Sequence, residues 1–390
     1  MTVQQIYQFV NGMTSEILGE SGLVKEDLSN IVDIGKEVFD ATQVENAART
    51  LVDHIGKVMF VIRPYDGAAP SVYRDAWEYG SVLEKITANI PEAQENESWE
   101  LQDNEEYAQD IYTKPDISAK FFNSKVTFEV PQSITDIQLR SAFDNASQMN
   151  SYGSMILDSI QKSMSIKLDG LVMRTINNAI ASTINSEFTG GSGLSNGSGT
   201  KVINLLKLYN TANSSSYTFA QAILLPDFIR FATYMINLYM DRMSKISRVF
   251  NIGGQVRYTP KNLQHLILLS DFAKASEIYL QSSTYHDELV KLKGFDTVPS
   301  WQGTGTAFND LSVLSKINVT IKTAAGSTQD VEVTGVLGVL FDHDALGVSN
   351  LNQRVTSHYN AKGEFTNTWY KADGSYFNDF NENVIVFVAA

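Results

Sequence analysis

At 390 residues the chain exceeds the roughly 250–300 at which a single hydrophobic core stops growing, so two or three subdomains are expected. A hydrophobic content of 43% and an aromatic content of 11% exclude wholesale disorder, and the absence of cysteine excludes disulfides, thiolate metal sites and cysteine nucleophiles. The 30 basic residues against 44 acidic ones give a net charge of −14, which opposes tight nonspecific binding to a polyphosphate.

Met1 to Gly12 carries Gln4, Gln5, Gln8 and Asn11 with no basic run, and no uninterrupted apolar span of about 18 residues occurs. Neither a signal peptide nor a membrane span is expected. The first sixty residues read as three amphipathic helices, marked by Ile6, Phe9, Val10 and Met13, by Leu28, Ile31, Val32, Ile34 and Val38, and by Val44, Ala47, Leu51 and Ile55. Strand candidates follow at Val58–Ile62 and around Val82–Ile86.

From Ile86 to Thr113 there is no Lys or Arg, while Glu92, Glu95, Glu97, Glu100, Asp103, Glu105, Glu106 and Asp110 supply eight acids. Such a stretch is not expected to form a core of its own. Lys125–Val130 then alternates, with Val126, Phe128 and Val130 on one face, and Pro131 is expected to end the strand. An acidic excursion closed by an alternating strand predicts a projecting two-stranded arm.

Ser133 to Asn185 contains no Pro, and a helix with a capping box at Thr135 and Gln138 is expected to begin there. Tyr152, Ile156, Ile160, Met164, Leu168, Val172, Ile176, Ile180 and Ile184 recur four apart. On a helix of 3.6 residues per turn that row creeps round the axis by roughly 40° per step, so one partner does not cover it. The row predicts a long helix covered from more than one side.

Thr189–Thr200, with five glycines, reads as a flexible loop. Pro226–Ser247 reads as a second long helix with Phe228, Phe231, Met235, Leu238, Tyr239 and Met243 on one face. Beyond it come a strand at Leu266–Leu269, a helix at Asp271–Gln281, strands at Ile317–Thr323, Val331–Thr334 and Val336–Phe341, a hairpin turning at Ala361–Gly363 and a last strand at Val384–Val388. The class is α+β with largely antiparallel pairing.

Little in the chain carries chemistry. Gly193-Leu-Ser195-Asn-Gly197 matches the nucleophile-elbow pattern but sits in a Gly/Ser tract with no strand before it. Asp342-His343-Asp344 lacks the further ligands of a metal site and reads as a turn in which an acid orients the imidazole. No phosphate-binding G-x-x-x-x-G-K-[ST] occurs. Arg230, Arg242, Lys245, Arg248, Arg257 and Lys261 face a single acid, Asp241, with Tyr234, Tyr239 and Tyr258 among them. That composition suits a nucleic-acid patch, yet a solvated helix face or a surface meeting another subunit is the preferred reading. No enzyme, cofactor or metal is expected.

Two stretches carry a family resemblance. Ile134–Phe143 running into Leu168–Asn178, and the tail segments Asp344–Gly347, Arg354–Thr356, Tyr359-Asn360, Lys362–Phe365 and Tyr376–Asp379, resemble the major capsid proteins of tailed bacteriophages with the Hong Kong 97-type shell fold. The resemblance implies an N-terminal arm at 1–60, a peripheral domain with a spine helix at 61–85, 132–199 and 346–381, an extended loop at 86–131, and an axial domain at 200–345 and 382–390. It further implies self-assembly through hexamers and pentamers into an icosahedral shell enclosing packaged double-stranded DNA, without sequence-specific DNA binding. Portal, scaffold and decoration proteins are candidate partners, and the shell would be assembled in the host bacterial cytoplasm and end as the virion capsid. An encapsulin-like compartment shares the fold and is the alternative, with a serine hydrolase using Ser195 as a third reading. In the shell reading the acids at 92–110 cross a neighbouring subunit and meet basic groups, either at Arg230, Arg242, Lys245 and Arg248 or at Lys162, Lys167 and Arg174 on the long helix.

Overall fold

The computed structural model describes residues 69–74, 83–88, 93, 95–106, 112, 114, 117–135, 137, 146–281, 294–302, 310–323 and 326–390. The three expected N-terminal helices, the strand candidate at Val58–Ile62 and Gln138 of the expected capping box lie outside these residues. In chain order the elements are β1 (Leu83–Ala88), β2 (Ile117–Phe122), β3 (Lys125–Thr135), α1 (Ala146–Glu187), β4 (Val202–Asn204), α2 (Leu205–Asn213), α3 (Phe219–Ala222), α4 (Pro226–Met243), β5 (Gln264–Leu269) and α5 (Ser270–Gln281). There follow β6 (Phe295–Val298), α6 (Leu311–Leu314), β7 (Ile317–Lys322), β8 (Thr328–Val333), β9 (Val336–Asp342), β10 (Leu346–Asn360), β11 (Phe365–Asn378) and β12 (Val384–Val388).

Among the described residues, one compact unit draws on Lys125–Leu171 and Ser349–Ser375, and a second on Ala68–Ser124, Val172–Val348 and Tyr376–Ala390. The first is built on a three-stranded sheet in the order β10-β11-β3. Val126, Phe128 and Val130 share the half-buried face of β3, as the alternation predicts. Pro131 does not end the strand: it pairs opposite Trp369, and β3 runs on to Thr135. The sheet tolerates it because β3 is an edge strand, whose free side needs no N–H donor. Nor does β3 close the acidic excursion, since its partner is β11; the strand that pairs with β1 is β2.

Helix α1 spans 42 residues, about 63 Å at 1.5 Å per residue. Of its four-apart row, Ile156, Ile160, Met164, Val172, Ile176, Ile180 and Ile184 are buried and Leu168 is half-buried. This burial occurs within one chain, so the cover by neighbouring copies that the family resemblance implies is not needed for these residues. The creep of the row is nonetheless visible in what surrounds it. In the first unit Met155 and Ile166 on the same helix are exposed. In the second unit Thr175, Asn177, Ala179, Ala181 and Thr183 are buried along with the row, so cover extends most of the way round the axis.

The second unit holds a mixed five-stranded sheet, β4-β12-β9-β5-β6, antiparallel at β12/β9 and β5/β9 and parallel at β12/β4 and β5/β6. Every residue of β9 and β12 is buried, which is why these strands read as continuous apolar runs rather than alternating ones. Helices α2, α4 and α5 supply Leu206, Phe228, Ile229, Ile236 and Phe272 to a core with Leu266 and Leu268 of β5 and Ile385 and Phe387 of β12. The buried stripe of α4 centres on Ile229, Ala232, Thr233 and Ile236, one position round from the expected face, although Phe228 and Met243 belong to it. Asn177 of α1 donates to the Trp301 carbonyl at 2.8 Å, and the Trp301 indole donates to the Val336 carbonyl at 2.8 Å, tying this half of the helix to the sheet.

The Gly/Ser segment is not a loose linker. It contains two short 3-10 turns, Thr189–Gly191 and Leu194–Asn196, with Leu194 buried. Gly191 adopts φ +84°, and a Cβ there would stand 2.6 Å from Val333 Cγ2 and 2.7 Å from the Glu332 carbonyl oxygen. The glycines thus allow a close approach to β8 rather than freedom.

Candidate assembly surface

β1 and β2 form a separate antiparallel pair with the register Leu83–Phe122, Glu84–Phe121, Lys85–Lys120, Ile86–Ala119, Thr87–Ser118 and Ala88–Ile117. Because side chains alternate across a strand, the register sorts them into two faces. One face is half-buried and polar: Lys85, Thr87, Ser118 and Lys120, with the Thr87 and Ser118 hydroxyls 3.0 Å apart. The other is exposed and largely apolar: Ile86 is 66% exposed, Ile117 60% and Phe121 64%, with Ala88 and Ala119 between them and the exposed Glu84 opposite Phe121. The arm therefore inverts the usual arrangement, turning Ile86, Ile117 and Phe121 to water while Phe122 faces inward.

The inner face is held by charge. Lys85 Nζ lies 3.0 Å from Asp379 Oδ2 and 2.8 Å from Glu382 Oε1, and Lys120 Nζ lies 2.8 Å from Asp379 Oδ1. Arg257 Nε reaches Glu382 Oε1 at 3.5 Å. Two lysines directly opposite on a ladder repel. The buried Asp379 carboxylate offsets this by giving one oxygen to each. Burial raises the cost of ionising Asp379, but bonds and charge from Lys120 and Lys85 outweigh it and hold its pKa below the ordinary 3.8. Lys85 likewise stays above 10.5, its two carboxylate partners overcoming the burial that would lower it.

The segment between the strands presents the acids. Glu95, Glu100, Asp103, Glu105 and Glu106 are exposed, and Glu97 opens a 3-10 turn ending at Trp99, which is 96% exposed. Leu101 and Tyr112 are exposed beside them. Glu92 and Asp110 fall outside the described residues. Of the basic candidates, Arg230 pairs with Asp227 of its own helix at 3.2 Å, and the Arg242 guanidinium lies 5.1 Å from the Tyr239 ring centre. Lys245 and Arg248 are exposed, next to exposed Ile246 and Val249. Arg257 is instead drawn into the Glu382 cluster and Lys261 pairs with Asp241 at 2.6 Å. On α1, Lys162, Lys167 and Arg174 are exposed, with Arg174 lying 5.8 Å from the Tyr376 ring centre.

The remaining sequence candidates take other roles. Ser195 is exposed at the edge of a cleft of about 950 Å³ whose lining includes Asp310, Ser312 and Lys207 and, among the described residues, no histidine. Asp310 is engaged as the cap of α6, accepting from the Ser312 N–H at 2.9 Å. Asp342 does form a turn, accepting from the Asp344 N–H at 2.8 Å, yet its other oxygen takes the Thr259 hydroxyl at 2.6 Å. The His343 imidazole is oriented not by an acid but by His265, with Nδ1 and Nε2 2.9 Å apart. Among the described residues no cluster of three or more His, Asp or Glu has metal-binding geometry, and no helix is long and apolar enough to cross a membrane.

Sequence reasoning missed Lys85, Lys120, Asp379 and Glu382. The signal was present in the alternation of Leu83–Ala88 and Ile117–Phe122, each of which puts a single lysine on its polar face. What could not be read was the pairing of the two strands across the acidic segment, which brings the lysines opposite each other.

The sequence model of the Phi29-like phage major capsid protein family matches residues 10–388. Among solved structures, a chain in the capsid structure of Staphylococcus phage Andhra is 11% identical with a TM-score of 0.52, the match covering 85% of this chain and 86% of that one. A chain in the structure of the head fiber and inner core protein gp22 of native bacteriophage P68 is 9% identical with a TM-score of 0.50, covering 84% and 86%. No curated protein matches the chain.

Proposed function

Since this chain belongs to the Phi29-like phage major capsid protein family and is a shell-forming capsid protein of a phage, we propose that its copies join by laying the β1–β2 arm across a neighbouring subunit. Family membership also settles the choice between a phage shell and an encapsulin-like compartment in favour of the shell. The observation that carries the proposal is the inverted arm: Ile86, Ile117 and Phe121 face outward while Lys85 and Lys120 face inward. At about 25 cal/mol per Å², leaving three large apolar side chains and Trp99 in water forgoes several kcal/mol that a second copy would recover. An isolated two-stranded sheet is also marginal in water, so its stability improves when its open face is covered. Glu95, Glu100, Asp103, Glu105 and Glu106 extend that surface with negative charge. The basic residues they meet are Arg242, Lys245 and Arg248, or Lys162, Lys167 and Arg174, on the adjacent copy.

In this reading the shell is icosahedral, built of hexamers and pentamers on the Hong Kong 97-type plan, and encloses double-stranded DNA. The acidic segment and the arm from Ile86 onward lie in the extended loop at 86–131, α1 is the spine helix of a peripheral domain at 61–85, 132–199 and 346–381, and 200–345 with 382–390 is the axial domain. Residues 1–60 are the N-terminal arm. The shell forms in the host cytoplasm, with portal, scaffold and decoration proteins as partners, and the role is structural rather than enzymatic. The net charge of −14 suits a wall that must admit and release DNA without gripping it. Phe121→Asp tests the arm directly: in sedimentation the variant is expected to remain a folded monomer at concentrations where the wild type assembles. Unimpaired assembly of that variant would refute docking through this face.

A further inference from the structure

We propose that Asp379 and Glu382 are the keeper of an electrostatic latch, holding the β1–β2 arm against the turn between β11 and β12 through Lys85 and Lys120, and that loss of charge in this cluster frees the arm without unfolding the core. The latch is built within one chain and does not depend on assembly.

Among the described residues, the polar contacts that seat the arm's inner face include several ion pairs. Lys85 Nζ engages Asp379, Glu382 and the Asp344 carbonyl oxygen, and Lys120 Nζ engages Asp379. Phe122 supplies an apolar contact, its ring centre lying 5.3 Å from that of Phe377. The chain leaves β2 through Ser124, whose carbonyl accepts from the Tyr376 N–H at 3.2 Å, a natural pivot at the base of the arm. The charged groups facing the cluster are Lys85, Lys120 and Arg257 on one side and Asp379 and Glu382 on the other, with the Asp342 carboxylate close enough to Glu382 to feel its charge.

The anions are independently fixed. Asp379 Oδ1 accepts from the Asn381 N–H at 3.1 Å, and the Asp379 N–H donates to the Ala345 carbonyl. The turn carrying them therefore belongs to the rigid side, next to fully buried β12. The cations sit on a two-stranded sheet that is marginal by itself. Breaking a largely buried pair by removing one partner is costly because it strands the other charge. Here that cost falls on the seating of the arm, since Lys85 and Lys120 would also be left opposing each other.

The test is hydrogen exchange on the full chain, kept dilute enough to remain monomeric, with wild type, Lys85→Met, Lys120→Met and Lys120→Arg compared across a salt series. The latch predicts that either Met variant speeds exchange of 83–88 and 117–122 by about tenfold or more while β5, β9 and β12 stay protected. It also predicts that salt speeds arm exchange in wild type, that this salt dependence shrinks in the Met variants, and that Lys120→Arg behaves as wild type. A role in general stability alone would loosen β9 and β12 together with the arm, which would overturn the proposal. Unchanged arm exchange in the Met variants would overturn it as well. Should a variant fail to fold, the wild-type salt series still decides, because arm exchange that is indifferent to salt contradicts the latch.

Discussion

The carboxylate of Glu187, the last residue of α1, accepts the backbone N–H of Val202, the first residue of β4, at 2.9 Å, and takes the N–H groups of Thr200 and Lys201 at 3.0 Å. The Thr200 hydroxyl adds a fourth hydrogen bond, and the Lys201 Nζ lies 3.3 Å from Oε1 as an ion pair. Helix α1 is thereby fastened to the edge strand of the five-stranded sheet across a segment that would otherwise be a long glycine loop. These bonds hold the Glu187 pKa below 4.5 even though burial pushes it up. Glu187→Gln keeps the shape but loses the charge, and is expected to cost about 1.5–3 kcal/mol in chemical denaturation. Since the folded pKa is depressed, this contribution is present above about pH 4.5 and is lost as the pH falls through the folded value.

Gly191 offers a second check on the same segment. Gly191→Ala must accept φ +84° and a Cβ pressed against Val333 and Glu332. A loss of about 1–3 kcal/mol is expected from conformation and overpacking together, whereas Gly193, also at positive φ but with open space beside it, should lose only the conformational part. Equal costs at the two positions would show that the contact with β8 contributes nothing.

The two exposures on the long helix separate folding from assembly. Ile176 is fully buried and Ile166 is 69% exposed. Ile176→Ala is expected to cost the monomer about 2–5 kcal/mol. Ile166→Asp should change monomer stability by no more than about 0.5 kcal/mol. If Ile166→Asp also blocks assembly, the outer face of α1 is a docking surface, and the basic residues beside it become the better match for the acidic segment.

Acid should weaken the fold near the paired imidazoles. Burial lowers the pKa of both His265 and His343, with Arg74 lowering each further. The Arg74 guanidinium donates to the Leu346 carbonyl at 3.1 Å and to the His343 carbonyl, and Asp296, Asp342 and Asp344 are the acids that act against it. Below the ordinary value of 6.5 the unfolded chain binds more protons at these sites than the folded one, so stability declines as the pH drops through that value toward the folded pKa. His265→Asn should flatten this part of the stability profile. A slope identical to wild type between pH 7 and pH 5 would remove the pair from the account.

Reversal of charge tests the acidic segment. Glu105→Lys with Glu106→Lys lies on exposed backbone and should leave the denaturation midpoint of the monomer nearly unchanged. Assembly followed by light scattering is expected to slow or fail.

Much of the fold was legible because its signals are local. The Pro-free run with a four-residue row announces α1, and the uninterrupted apolar stretches Val336–Phe341 and Val384–Val388 announce strands buried on both sides. The errors arose where tertiary pairing overrides composition. Pro131 looked like a terminator because its place on a sheet edge is not written in its neighbours, and Thr189–Thr200 looked loose because the anchors, Glu187 and β8, act on it from outside. For the assembly surface, the eight acids were visible, but their setting was not: only the register of β1 with β2 reveals that the arm's lysines face inward and its isoleucines outward.

The most direct test is electron microscopy of the purified wild-type protein beside Phe121→Asp, imaged over a range of concentration. Closed shells or regular capsomers from the wild type, with only folded single copies from the variant, are the predicted result. A wild type that stays monomeric at high concentration, or a variant that closes shells as readily, would contradict assembly through the outward face of the arm.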